Sequence, residues 1–291
     1  MEDHSDTIIV AIISSATTIL VLILTGVSRY FFFLFSLTYK LKREYNFSQK
    51  KNIKLELSRS KTPLIKAAEE LNYRLWNLSK NIDKGWINVE RESWQDPKRY
   101  YLISTVYRFL HFIYWTLEAE KSIYSFDFAQ AERDDIQYLK YIKALKHFFC
   151  ESDLLKELGY DGSHPTHHFY KDNLCKYADF IRDDNNSINY MKFEAKFMTN
   201  CSEIEDVIKY MSSLENVPDN KNYNVIMVFH LFLMLFLNKY GLDYHQTDRK
   251  KFKTLIHTKY ANLKIKKGIL DFIKRNKIES EAKWIIEDLS L

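Results

Sequence analysis

The stretch Thr7–Ser28 reads TIIVAIISSATTILVLILTGVS, 22 residues without a charge. As a helix it reaches about 33 Å, against roughly 30 Å for the hydrocarbon core of a bilayer. A cleaved secretory signal opens on basic residues and carries a shorter apolar run. Here the run follows the acidic MEDHSD. A retained transmembrane helix is therefore expected over residues 7–28, with residues 1–6 outside the cytoplasm.

The flanks orient it. No Lys or Arg precedes the run, whereas Arg29, Lys40, Lys42, Arg43, Lys50, Lys51 and Lys54 follow it. The positive-inside rule places everything after Arg29 in the cytoplasm. Ala11, Ser14, Ser15 and Thr18 give small-xxx-small pairs that let spans approach and self-associate in lipid. The competing reading is that the hydroxyls bond their own backbone carbonyls. Tyr30–Phe35 form an aromatic interface segment.

Residues 29–61 read as that interface segment and a basic juxtamembrane linker. Lys40, Lys42, Arg43, Lys50 and Lys51 are candidates for contact with anionic lipid. Thr62 and Pro63 fit the N-cap and first position of a helix that carries Leu64, Ala68, Leu71, Leu75 and Leu78 on one stripe. They open an expected helical bundle over residues 62–248.

Composition agrees. With 6 Gly and 4 Pro in 291 residues, the chain lacks the turns of a β sandwich or barrel. The glycines stand singly, so there is no phosphate loop. Three cysteines make no disulfide framework and suit a reducing compartment. The fold class expected is all-α, with helices near 96–125, 128–149, 152–158, 166–182 and 188–214. The apolar run VIMVFHLFLMLFL, 225–237, reads as a buried core helix, with a second membrane segment over 222–238 as the alternative.

The net charge of +5 divides unevenly. Residues 40–61 carry +6 and residues 249–277 carry +10, leaving −11 for the remainder. The basic C-terminal helical segment, residues 249–291, offers Lys250, Lys251, Lys266 and Lys267 to lipid or nucleic acid, or exposes them as a solvated face.

Chemistry is sparse. Arg108, His111, Trp115 and Glu118 share one helix face. Arg108, His111 and Glu118 read as a polar core network that fixes helix registry; anion binding or acid–base work is the rival. His164 and His168 have H-x3-H spacing without a C-x-x-C pair, so no metal site is expected. No hydrolase or cofactor motif occurs, and neither an enzyme nor a cofactor is expected.

PLIKAAEELNYRLWNL (63–78), YLISTVYRFLHFIYWTLEAEKSIYSFD (101–127) and YNVIMVFHLFLMLFL (223–237) resemble a diffuse group of bacterial single-span membrane proteins with a helical cytoplasmic domain. The layout is similar to membrane effectors of retron-type anti-phage systems. That resemblance implies a membrane-perturbing effector released by a protein or nucleoprotein partner. The alternative is a membrane-tethered module that recruits nucleic acid or a protein through 249–277.

Overall fold

The structure, a computed structural model, describes residues 3–96, 99–123, 132–163, 166–184, 186–259 and 264–289. It is all-α. Helices α1 (Asp3–Asn81), α2 (Tyr100–Ile123), α3 (Arg133–Phe148), α4 (Lys171–Asp179), α5 (Tyr190–Asn200), α6 (Glu205–Ser212), α7 (Lys221–Tyr240), α8 (Arg249–Lys259), α9 (Lys266–Asn276) and α10 (Lys283–Leu289) follow in order. Among the described residues the only strands are the ribbon pair Arg182–Asp183 and Asn186–Ser187. Two compact units divide the chain, one through Lys54 and a larger one from Leu55 onward.

In the first unit, α1 presents apolar side chains in every direction. Ile8, Leu22, Phe32 and Phe35 are 60–75% exposed, and none of its most apolar stretch is buried. Ser15 and Thr18 donate to the carbonyls of Ile12 and Ser14, and Thr17 and Thr25 do likewise within the helix. These hydroxyls are therefore satisfied without a neighbouring span.

The larger unit is organised around α7. Every residue from Asn222 to Leu237 is buried. Phe112 of α2 meets Phe229 edge-on at 5.5 Å, and Phe148 of α3 meets Phe232 at 5.4 Å. Phe272 of α9 meets Phe232 at 5.9 Å, and the Tyr141 hydroxyl donates to the Phe232 carbonyl. Each such ring pair adds ~0.5–1.5 kcal/mol beyond area burial. The helix is long and apolar enough to cross a membrane, yet 83% of that stretch is covered by protein. Its continuous apolar run is accounted for as core.

Five expectations need correction. Thr62 and Pro63 do not start a helix, and 40–61 is not a linker, because α1 runs unbroken to Asn81. A proline inside a helix removes one N–H and crowds the carbonyl four residues back. Burial outweighs this: Leu57 and Ser60 extend the stripe of Leu64, Ala68, Leu71, Leu75 and Leu78 backwards at helical spacing. The Arg59–Glu56 pair spans the same turn.

The segment after residue 248 is no separate domain either, since Phe252, Ile269, Phe272, Ile273, Ile285 and Leu289 are buried in the larger unit. It forms three helices, and the expected helical residues Tyr260 and Leu263 lie outside those described. The expected 188–214 helix divides into α5 and α6 around a short 3-10 turn, and 166–182 shortens to α4. Pro97 also lies outside the described residues, and α2 begins at Tyr100.

Candidate functional site

Between Asn72 and Lys80, α1 exposes polar and basic groups to one side and packs its apolar stripe to the other. Here Trp76 and Lys80 of α1, with Lys250, Lys251, Thr254 and Thr258 of α8, line an open cleft of about 430 Å³. Helix α8 is held by Asp248, whose carboxylate caps the Lys251 N–H at 2.8 Å. Such a cap satisfies a free donor of the first turn. The Lys251 ammonium lies 4.5 Å from the Trp76 ring centroid, a cation–π distance. The Thr254 and Thr258 hydroxyls donate to backbone carbonyls one turn back, so their lone pairs remain as acceptors. Lys80, Lys250 and Lys251 are exposed, and no carboxylate pairs with any of them among the described residues. Three ammonium groups beside an indole suit a phosphate-bearing, planar partner.

Elsewhere three cations of the basic segment are neutralised. Arg249 pairs with Glu287 and Asp288, Lys264 with Asp219, and Arg275 with Glu151 and Asp153. Lys266 and Lys267 are exposed at the start of α9, where Glu157 accepts the Lys267 N–H. The structure thus joins Lys250 and Lys251 to Trp76 and Lys80, which the charge pattern did not single out. Trp76 sits beside the Leu71, Leu75 and Leu78 stripe, so periodicity alone reads it as packing.

The polar set on α2 is also rearranged. Arg108 donates to the Ser104 carbonyl at 2.9 Å. His111 Nε2 accepts from the Trp115 indole at 3.0 Å, so its proton rests on Nδ1. That nitrogen is 3.9 Å from Glu70 of α1, too far for a hydrogen bond. Burial, reinforced by the charges of Lys66 and Arg108, lowers the imidazole to about 4. Glu118 instead meets Lys121 at 2.8 Å and Arg182 at 3.6 Å. Arg108, His111 and Glu118 therefore form no single network: ten residues of helix separate Arg108 from Glu118 by about 15 Å.

Two further histidines engage the same stretch of α1. His230, fully buried, donates from Nε2 to the Asn72 side-chain oxygen at 3.0 Å. Burial, with a contribution from Lys251, lowers it to about 3. His245 Nδ1 accepts the Leu242 N–H, and its Nε2 lies 3.3 Å from a Glu69 carboxylate oxygen without hydrogen-bond geometry.

The remaining candidates are placed singly. Lys40, Lys42, Arg43, Lys50 and Lys51 are exposed on α1, as are Ala11, Ser14, Ser15 and Thr18. His168 bonds Tyr160 and His167 bonds Asn222, while His164 lies outside the described residues. Among the described residues no three His, Cys, Asp or Glu side chains converge as metal ligands.

No protein-family model matches the chain, and no curated protein or solved structure is significantly similar to it.

Proposed function

We propose that the chain is a single-pass membrane effector of bacterial antiviral defence, which perturbs the inner membrane when a partner triggers it. The observation that carries this reading is the uncovered apolar belt of α1. Twelve large aliphatic side chains from Ile8 to Val27 are about half exposed or more. Removing them from water is worth roughly 20–35 kcal/mol at 1.5–3 kcal/mol each. Lipid supplies that environment, with the N-terminus outside and the helical unit in the cytoplasm. Arg29 and Tyr30–Phe35 suit the interface, and Lys40, Lys42, Arg43, Lys50 and Lys51 suit anionic headgroups. Ala11, Ser14, Ser15 and Thr18 supply the surface for self-association of spans.

The test is expression of the full chain, with and without its genomic neighbours, in cells loaded with a potential-sensitive dye. Loss of membrane potential on expression or on infection is expected, and a Leu22→Arg/Leu24→Arg variant should lose both membrane retention and the effect. Full potential and normal growth at high expression with the native trigger present would refute it.

The lysine cleft supports a second reading, a membrane-tethered module that recruits nucleic acid. A Lys250→Glu/Lys251→Glu variant should then lose salt-dependent binding of single-stranded oligonucleotide. Undetectable binding by the parent chain at low salt removes this reading.

A further inference from the structure

Arg74 of α1 and Arg108 of α2 converge on one residue. Arg74 Nη2 donates to the Ser104 hydroxyl at 2.7 Å, and Arg108 Nη1 donates to the Ser104 carbonyl at 2.9 Å. Two guanidinium groups are thereby held side by side. Neither has a carboxylate partner among the described residues. Glu70, one turn back on α1, lies by His111, and Glu194 of α5 accepts the Tyr190 hydroxyl at 3.0 Å.

Like charges set together without a counter-ion repel, and the Arg74 pKa is lowered by its burial and by the Arg108 charge. Stacking relieves part of this: Arg74 lies 4.4 Å from the Tyr101 centroid and 5.7 Å from that of Tyr100. Arg108 also draws the Tyr100 hydroxyl below its ordinary pKa by hydrogen bonding to it. Tyr101 also takes one Arg74 donor through a side-chain hydrogen bond. A guanidinium carries five N–H donors, and most of those ten are left over. Both arginines and Tyr101 are half-buried and Tyr100 is exposed, so the donors are preorganised and still reachable from solvent.

We propose that Arg74 and Arg108, with the Tyr100 hydroxyl, form a site for a phosphate monoester. Two guanidinium forks match the several oxygens and double charge of that group better than a single carboxylate. Such an occupant would supply the missing counter-charge. The site is distinct from the lysine cleft, sharing no residue with it.

The test is thermal melting of the full chain in detergent micelles, titrated with inorganic phosphate, adenosine monophosphate, or micelles doped with phosphatidic acid, each against chloride at equal ionic strength. A stabilising, saturable shift with phosphate and the nucleotide identifies a soluble monoester. A shift confined to phosphatidic acid identifies a lipid headgroup. In either case Arg74→Gln and Arg108→Gln should each weaken binding at least tenfold, and Arg108→Lys less. Arg108→Gln should also raise the melting temperature of the ligand-free protein at low salt, because it removes the repulsion. No shift with any of the three, or a shift unchanged in both Gln variants, overturns the proposal.

Discussion

Removing the Asn72 side chain tests the packing of α7 on α1 most directly. In the native structure the imidazole of His230 has no solvent exposure and its Nε2 proton rests on the Asn72 oxygen, 158 residues away in sequence. Trp76 meets the ring edge-on at 5.2 Å. Asn72→Ala leaves that N–H buried without this acceptor, which costs about 1–3 kcal/mol. For a domain of this size each kcal/mol lowers the melting temperature by about 2–4 °C, so a fall of about 2–12 °C is expected. Circular dichroism at 222 nm of the full chain in micelles measures it. His230→Phe in the Asn72→Ala background removes both polar partners and keeps the ring, so the double variant should recover at least half of the loss. The double-mutant cycle should give a coupling of ~1 kcal/mol or more. A single variant melting within 1 °C of the parent, or strictly additive losses, would refute the placement of α7 against α1 and return 222–238 to the membrane.

The titration of buried histidines predicts acid lability. His111 and His230 are lowered to about 4 and about 3 in the folded chain, against an ordinary 6.5 in the unfolded one. Between pH 6.5 and those values the unfolded chain takes up protons that the folded chain refuses. Stability is therefore intact above pH 6.5 and falls below it, by about 2 kcal/mol per histidine at pH 5. Burial lowers His147 to about 4 as well, so melts at pH 7.5 and 5.0 should differ by the sum of these terms, and His230→Phe should narrow the difference by about 2 kcal/mol. Gly268 sits where α9 touches the backbone of Leu154: an added Cβ would lie 2.8 Å from the Leu154 carbonyl oxygen and 2.9 Å from its Cα. Gly268→Ala should cost about 1–3 kcal/mol by overpacking. Gly26→Ala, with nothing within 4 Å, should leave the melt unchanged.

Much of this fold is visible in local pattern. The stripe from Leu64 to Leu78 and the apolar run of α7 obey helical spacing and are buried as that spacing predicts. Pro63 misleads because a strong local rule competes with burial, and the earlier stripe positions Leu57 and Ser60 carry the better signal. Arg108 and Glu118 mislead differently. A shared face says nothing about axial separation: Arg108 bonds Ser104 and Tyr100 a turn or two back on its own helix, whereas Glu118 meets Lys121 of that helix and Arg182 from beyond it. Arg74 escaped notice because it lies off the apolar stripe, and only the α1–α2 crossing brings it to Arg108. The lysine cleft was half legible, since a run of charge marks Lys250 and Lys251 but cannot choose Trp76 as their neighbour.

The bond between Asn72 and His230 also fixes an order of events on the ribosome. Asn72 is translated early and its partner 158 residues later. At ~5–20 residues per second the delay is roughly 8–30 s. During that time Leu64, Leu71, Leu75 and Leu78, buried in the finished fold, are outside the tunnel before the rest of the core is made. The stripe therefore waits as apolar surface on a nascent chain that already carries the apolar segment 7–35, with only the basic stretch 40–61 between them.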